Sequence, residues 1–334
     1  MAKYSIILSL LLLYSCERMF FADDLSDDPV SSFDVLWQSI DEHYSLFDYK
    51  NVDWDSIYQV YRPQVDYNIK DDSLFRVMSN MLYVLKDGHV NLITPFDVSR
   101  NWDWYLNRPQ NFNLSVLERN YWGDSYRITG PFINLLLDSV GYIRYSDFSS
   151  NINKDQLISL LKAYQPYKGL IIDVRDNGGG YISNAELLAS MFINESKVVG
   201  YTKTKNGPQK DDFSPLIPVT INPADSFCFT KPVAVLSNRS SYSSTNMFIS
   251  FMSSNDQATI IGDTSGGGGG VPISTQLPNG WMVRYSSTIT LDANERNIEN
   301  GVPPDILVTQ TLQDVAIGVD PILERAYQKL NVQQ

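Results

Sequence analysis

GLIIDVRDNGGGY, residues 169–181, decides the fold of this chain. It reads as an apolar strand followed by a triple-glycine turn, and residues 182–193 after it have the spacing of a helix. The same order recurs at 232–254, where the strand-like PVAVLSN precedes a serine-rich loop and the helix-like NMFISFMSS. Helices that alternate with apolar strands predict parallel strands buried on both faces.

Further strands extend this predicted sheet. GYIRYSDF at 141–148 and QATIIGD at 257–263 read as strands. Residues 273–291 predict a hairpin, because an Asn-Gly turn signal separates the strand-like ISTQL and WMVRYSSTITL. We therefore predict an α/β fold whose core, residues 141–330, is a mixed, partly parallel sheet covered by helices.

The segments before this core are predicted to be different in kind. Residues 32–93 show apolar residues at helical spacing and predict an N-terminal helical subdomain. Within it Asp53 is a candidate helix N-cap, and Asp71 or Asp72 a candidate cap for the next helix. Residues 94–140 contain stretches in which apolar and polar residues alternate, separated by short turns, and this pattern predicts a short β-rich insertion.

Composition excludes several functional classes. A chain of 334 residues with 43% apolar residues can bury a large core. Its net charge of −12 and lack of a long basic run argue against nucleic acid as a partner. Two histidines and one cysteine beyond Cys16 do not make a persuasive zinc site, and no metal or organic cofactor is expected. Cys228 lies in an apolar phrase and is predicted to be a small buried residue.

Residues 1–16 predict an export signal. A lysine and an apolar run occupy residues 3–13, and a small serine precedes Cys16, which is the order of a secretory signal. The run is too short for a permanent transmembrane helix. Residues 13–16, LYSC, are similar to a bacterial lipobox, which implies a lipid anchor on Cys16, a membrane partner and a place in the cell envelope. Plain secretion is the alternative, and residues 17–31 read as a tether.

Three loops leave the carboxyl ends of the predicted strands, at 175–180, 238–246 and 263–270. Ligand crevices of open α/β sheets form outside those ends. The triple glycine of the first loop can present bare backbone N–H groups at a helix start, as an oxyanion hole does, or can serve only as a tight turn. The loop by itself leaves both interpretations open.

The second of these loops carries candidate nucleophiles. Residues 237–246 contain five serines, and a serine needs a base within hydrogen-bond reach in order to attack. His89, in KDGHVNL, is the candidate base, although a histidine past a helix end can also serve only the helix dipole. His43 lies within a predicted helix. Glu299, in IENGVPPD, is either an orienting acid or a solvated loop carboxylate.

Five phrases of the chain, taken in order, resemble peptidase family S41, serine peptidases that include the C-terminal processing proteases and a tricorn-like branch. The phrases, which span residues 85–305, are LKDGHVNL, GLIIDVRDNGGGY, VAVLSNRSSYSSTNMF, TIIGDTSGGGGGVP and ENGVPPD. A weaker likeness reaches back to about residue 33. The resemblance implies a ClpP/crotonase-like core, a peptide or protein substrate and no cofactor.

The resemblance also implies roles for single residues. The attacking serine of the family falls on Ser243, with His89 as its base and Glu299 as the acid that orients the base. The implied oxyanion donors are backbone N–H groups of Gly178, Gly179 and Ser244. The implied substrate-binding positions are Tyr242, Gly267 and Gly268.

The chain departs from the family's patterns at several positions. The processing proteases activate serine with a lysine, but Gly268 stands at that position and no lysine occurs from 232 to 328. The tricorn-like branch uses a histidine, yet the serine beside it appears here as Gly88. Asn246 replaces a usual glutamate. Residues 94–140 are too few for the PDZ domain that many relatives insert.

We therefore predict an exported serine endopeptidase that forms an acyl-enzyme. One alternative is a protein with the same fold but weak or no catalytic activity, which binds a peptide or a lipophilic small molecule. Another is a surface-anchored binding protein with an aromatic platform at 102–105. Tyr242, Trp281 and Tyr285 either line an apolar substrate pocket or pack in the core, and the sequence leaves both open.

Overall fold

The structure, a computed structural model, describes residues 27–332 apart from residues 101, 225 and 226. The predicted export signal, Cys16 and most of the tether lie outside the described residues. The helices are α1 Pro29–His43, α2 Phe47–Lys50, α3 Trp54–Tyr61, a 3-10 turn Arg62–Gln64, α4 Asp71–Tyr83, α5 Asp103–Leu106, α6 Leu114–Leu117, a π-helical turn Glu118–Trp122, α7 Lys154–Tyr164, α8 Ile182–Ser190, α9 Ser244–Ser253, α10 Leu312–Ile317 and α11 Pro321–Val332. The strands are β1 Asn91–Ile93, β2 Arg127–Thr129, β3 Phe132–Leu137, β4 Val140–Tyr145, β5 Leu170–Asp173, β6 Lys197–Thr204, β7 Ile217–Ile221, β8 Val233–Ser237, β9 Ala258–Gly262, β10 Pro272–Gln276, β11 Met282–Ser286, β12 Thr288–Asp292 and β13 Ile306–Leu307.

The centre of the molecule is a seven-stranded sheet in the order β13-β9-β8-β5-β4-β3-β2. Strands β4, β5, β8, β9 and β13 run parallel, and β3 and β2 continue antiparallel. The predicted mixed, partly parallel α/β sheet is thus confirmed. Because β5, β8 and β9 are parallel neighbours, the loops that follow them open at the same edge of the sheet.

Helices cover both faces of this sheet. Along β5, Leu170 and Ile172 join a core with helices α7, α8 and α9, whereas Ile171 between them joins a second core with α11. Val235 and Leu236 of β8 divide between the same two cores. Strands buried on both faces read as continuous apolar runs, which is why the sequence predicted them well.

The N-terminal helices form a separate apolar core with a three-stranded antiparallel sheet, β1-β11-β10. Asp53 caps α3 as predicted, because its carboxylate accepts a hydrogen bond from the Ser56 N–H at 3.2 Å. The cap predicted at Asp71 or Asp72 is wrong, since Lys70 occupies the N-cap position of α4. Both aspartates lie in the first turn, where they favour the helix dipole.

The hairpin predicted at 273–291 is confirmed as β10 and β11, but its second half is not one strand. The chain leaves the small sheet at Ser286 and enters another sheet, β12-β6-β7, at Thr288. The Ser45 hydroxyl contacts this junction, at 2.8 Å from the Thr288 carbonyl oxygen and 3.3 Å from that of Ser286.

Residues 94–140 contain α5, α6 and the π-helical turn before β2 and β3. The domain boundaries given above stay predictions. Among the described residues, no helix combines the length and apolarity that a membrane span needs.

Candidate active site

Ser243 lies at the turn between β8 and helix α9, at the open edge of the large sheet. Its backbone has φ 59° and ψ −123°, a conformation that side chains rarely adopt. Two backbone hydrogen bonds fix the turn, from the Ser243 N–H to the Gly267 carbonyl at 2.9 Å and from the Tyr242 N–H to the Asn177 carbonyl at 3.0 Å. A strained strand-to-helix turn of this kind projects a serine hydroxyl out of the backbone.

His89 meets this hydroxyl. Its Nε2 lies 3.0 Å from the Ser243 Oγ, although the two residues are 154 positions apart. His89 is 4% exposed, and its ring lies against that of Tyr242 with centroids 5.0 Å apart. Burial lowers the pKa of His89 to about 4, and nearby Arg284 and Lys50 act in the same direction. The imidazole is therefore neutral near pH 7 and able to accept a proton.

The other ring nitrogen of His89 is buried without a partner. Its Nδ1 has no hydrogen bond within the described part of the chain. The carboxylate that acts on the ring is that of Asp87, which raises the pKa of His89 against the effect of burial. Asp87 is itself held by the His89 backbone N–H and by the Ser286 hydroxyl, both at 2.8 Å. Asp87 was not predicted from the sequence, although it lies two residues before the histidine in KDGHVNL.

Glu299 is buried beside this pair, which contradicts the solvated-loop alternative. Its Oε1 lies 2.9 Å from the Lys50 Nζ, and its Oε2 accepts a hydrogen bond from the Gly269 N–H at 2.9 Å. Among the described residues it has no hydrogen bond to His89. The pKa of Glu299 is raised to about 7, chiefly by burial and also by Asp87, against the opposing effect of Lys50.

Lys50 connects three parts of the site. Besides Glu299, its ammonium group donates to the Lys86 carbonyl at 2.8 Å and lies 4.9 Å from the centroid of the Trp104 ring. Its side chain is 7% exposed. No local motif marks this lysine, because it meets its carboxylate only through tertiary structure, 249 positions along the chain.

The triple glycine packs directly against the nucleophile. A Cβ on Gly179 would lie 2.8 Å from the Ser243 Cβ, so this position needs glycine, as does its φ of +103°. The Gly179 N–H donates to the Asn177 side chain at 3.0 Å, whereas Gly178 has open space at its Cβ position. Ser244 is the first residue of α9, where a helix offers no internal acceptor for the N–H.

The positions implied in substrate binding are tightly packed. Tyr242 is 6% exposed, and a Cβ on Gly268 would lie 2.4 Å from its ring. A Cβ on Gly267 would lie 1.9 Å from the Glu299 carbonyl oxygen. These glycines therefore let the nucleophile turn and the Glu299 loop approach each other.

Other residues singled out by sequence have structural positions. Trp281 and Tyr285 belong to the core of the N-terminal helices, which decides their two alternatives in favour of the core. Asn246 links α9 to neighbouring loops, since its side chain contacts the Ile298 carbonyl at 3.0 Å and the Ser265 hydroxyl at 2.6 Å. Trp102 is 40% exposed and donates to the Gly88 carbonyl at 3.3 Å.

Comparison with known proteins supports the interpretation of these loops. The model of Peptidase family S41 matches residues 139–308, and that of the Tricorn protease C1 domain matches residues 27–83. A crystal structure of a Parabacteroides merdae protein assigned as a peptidase is 41% identical, with a TM-score of 0.87 over 92% of this chain and 98% of that one. The structure of mature CPAF complexed with lactacystin, 13% identical with a TM-score of 0.70 over 92% of this chain and 98% of that one, shares the fold.

Among curated proteins, the carboxy-terminal processing protease CtpB of Bacillus subtilis is 28% identical over 174 residues. That match covers 52% of this chain and 34% of CtpB, so the chain spans about a third of the length of this relative. The S41 match covers half of the chain, and the Parabacteroides merdae relative is similar along almost its whole length. The chain belongs to peptidase family S41.

Proposed function

We propose that this chain is a serine peptidase that hydrolyses peptide bonds of peptides or proteins, with Ser243 as nucleophile and His89 as base. The observation that carries this proposal is the 3.0 Å contact between the His89 Nε2 and the Ser243 Oγ at a strained turn. A neutral, buried imidazole beside a serine hydroxyl is the arrangement that activates serine for acyl transfer.

The mechanism follows from this geometry. The Ser243 Oγ attacks the peptide carbonyl carbon as its proton passes to the His89 Nε2. The N–H groups of Ser244 and Gly178 stabilise the oxyanion, because the Gly179 N–H already donates to the Asn177 Oδ1 at 3.0 Å. The imidazolium then protonates the leaving amine, which leaves an acyl-enzyme. Water, deprotonated by His89, hydrolyses the ester and restores Ser243.

The charge on the imidazolium requires a nearby carboxylate, and two are available. Asp87 raises the proton affinity of His89, so it stabilises the charged ring during the reaction. Glu299 takes the orienting role implied by the family when its carboxylate, or a water molecule, reaches the unpaired Nδ1. The tricorn-like branch has a serine beside its histidine, where this chain has Gly88. The loss of that hydroxyl is consistent with the lack of a partner for the His89 Nδ1.

Covalent labelling tests the proposal. The soluble chain, starting after Cys16, is treated with a fluorophosphonate probe, and the modified residue is mapped by mass spectrometry. We expect labelling of Ser243 that is lost in Ser243→Ala and falls strongly in His89→Ala. Ser240→Ala, in the same loop, is the matched control and should label normally.

A second candidate function is binding without cleavage. It is favoured by the pairing of Glu299 with Lys50, which leaves the His89 Nδ1 without a carboxylate. A folded wild-type chain that is not labelled by the probe, but binds peptides or lipophilic small molecules, would support this function and reject the peptidase. Labelling that persists in His89→Ala would reject His89 as the base.

We further propose that the chain is exported and anchored to the bacterial cell envelope through a lipid on Cys16. The support is the order of residues 1–16 alone. Metabolic labelling with a palmitate analogue, followed by membrane fractionation, tests this. The wild type should carry label in the membrane fraction, and Cys16→Ser should carry none.

A further inference from the structure

Arg284 lies on the small sheet that carries the base. It is in β11, opposite Asn91 of β1, and Asn91 follows His89 by two residues. Val283 and Tyr285, its neighbours in the strand, point into the core of the N-terminal helices. Because strand residues alternate between faces, Arg284 points to the opposite side.

That side of the sheet faces the catalytic residues. Ser286 shares the face with Arg284, and its hydroxyl contacts the Asp87 carboxylate at 2.8 Å. The guanidinium interacts electrostatically with His89, with Asp87 and with Tyr242, the residue just before the nucleophile. Arg284 therefore lies beside the reacting groups.

The guanidinium has no partner of its own. Among residues that the structure describes, none forms a hydrogen bond or ion pair with Arg284, although the side chain is half-buried. Burial lowers the pKa of Arg284, yet a guanidinium stays protonated in proteins. The Asp87 carboxylate attracts the guanidinium without a direct contact. A half-buried cation that lacks a direct hydrogen-bonded counter-charge is stabilised when an anion pairs with it.

The carboxylates near Arg284 are already engaged. Asp87 accepts from the His89 backbone and from Ser286, and Glu299 is paired with Lys50. A ligand can therefore supply the direct carboxylate partner that Arg284 lacks among the described residues. A guanidinium group can bind a carboxylate through two parallel hydrogen bonds. In a peptide, the carboxylates are the acidic side chains and the carboxyl terminus.

We propose that Arg284 binds a carboxylate of the substrate close to the bond that is cleaved. The proposal rests on the peptidase function proposed above and adds a substrate class, peptides with an acidic side chain or a free carboxyl terminus near that bond. A peptide that is neutral at this point leaves the guanidinium unpaired and binds more weakly.

Binding to Ser243→Ala tests this without cleavage. The probes are fluorescein-labelled nonapeptides of serine, alanine and leucine that carry one Glu or one Gln at each position in turn, with a free or amidated carboxyl terminus. By fluorescence anisotropy, one charged peptide should bind about 10- to 100-fold more tightly than its neutral match, the range for hydrogen bonds to charged groups. A Glu-against-Gln difference identifies a side chain, and an acid-against-amide difference identifies the terminus.

Variants of Arg284 test whether this residue causes the preference for charged peptides. In the Ser243→Ala background, Arg284→Met should abolish the difference in affinity between charged and neutral peptides. Arg284→Lys should retain part of this difference. Arg76→Met, which removes an exposed arginine on α4, should leave the preference unchanged. A purely structural role of Arg284 would weaken all peptides equally and leave the ratio intact, which would overturn the proposal.

The two proposals fail in different ways. If the probe labels Ser243 but charged and neutral peptides bind alike, the inference about Arg284 is wrong and the peptidase stands. If Ser243 is not labelled, the peptidase proposal is wrong, whatever the peptides show. A preference that survives Arg284→Met would assign the carboxylate to another residue and also overturn the inference.

Discussion

Replacing Glu299 by glutamine should make the free energy of unfolding depend strongly on pH. In the wild type this dependence is small, because the contributions of His89 and Glu299 largely cancel. Burial is the main cause of both relevant shifts. It lowers the pKa of His89 from 6.5 to about 4 and raises the pKa of Glu299 from 4.5 to about 7. At about 1.4 kcal/mol per pKa unit, each shift corresponds to about 3 kcal/mol of folding free energy.

The two contributions have opposite signs. Folded His89 binds a proton less readily than unfolded His89, so its contribution is fully present above pH 6.5 and is lost as the pH falls through about 4. Folded Glu299 binds a proton more readily, so its contribution is fully present below pH 4.5 and is lost as the pH rises through about 7. Between about pH 4.5 and 6.5 the two slopes oppose each other.

Urea unfolding, followed by tryptophan fluorescence at several pH values from 4.5 to 7, measures this balance. From pH 7 to 4.5, Glu299→Gln should lose about 3 kcal/mol more unfolding free energy than the wild type, because only the His89 slope remains. His89→Gln should gain about 3 kcal/mol over the same interval. Changes with pH are compared within each protein, because Glu299→Gln also leaves Lys50 without its carboxylate.

His43→Gln is the matched control, since this exposed histidine ends α1 and has its hydrogen bond within that helix, with the Ser39 carbonyl. Its stability should follow the wild-type curve at every pH. If Glu299→Gln also follows that curve to within about 1 kcal/mol, the reasoning is refuted, because the pKa of Glu299 would then differ little between the folded and unfolded chain.

Three further predictions concern the turn and its support. Gly179→Ala should slow fluorophosphonate labelling at least about tenfold, because the new Cβ meets the nucleophile at 2.8 Å; a rate within twofold of wild type would contradict this. Ser243→Gly should raise the unfolding free energy by about 1 kcal/mol through relief of its positive φ, and a lower value in urea would count against strain at this turn. Arg175→Met should cost about 3–5 kcal/mol in the same assay, because buried Asp320 loses its cation and buried Asp173 keeps only Arg144, at 3.6 Å; a change below about 1 kcal/mol would show that the pairs contribute little.

The parts predicted well from sequence are those that depend on local signals. The doubly buried strands, the Asp53 cap and the Asn-Gly hairpin turn each follow from a few adjacent residues. The closeness of His89 and Ser243 also agrees with the order of the family's phrases. The local signals and the order of the phrases can both be read without knowledge of the tertiary packing.

The parts that sequence did not predict depend on distant contacts. The ion pair between Lys50 and Glu299 joins the end of α2 to a distant loop, without any motif at the lysine. The division of 282–292 into two strands was missed because its alternation continues through Ser287, while contacts from Ser45 accompany the change of sheet. A continuous pattern of alternating residues does not reveal that the two halves pair with different partners.

The contacts of the site join segments that the ribosome makes at different times. His89 is synthesised 154 residues before Ser243, and Lys50 249 residues before Glu299. At about 5–20 residues per second, Lys50 waits on the order of ten to fifty seconds for its carboxylate. A nascent chain therefore has no base beside a nucleophile until the core of the N-terminal helices and the large sheet have formed and docked. The order of synthesis itself keeps the proposed peptidase latent while the chain is being made.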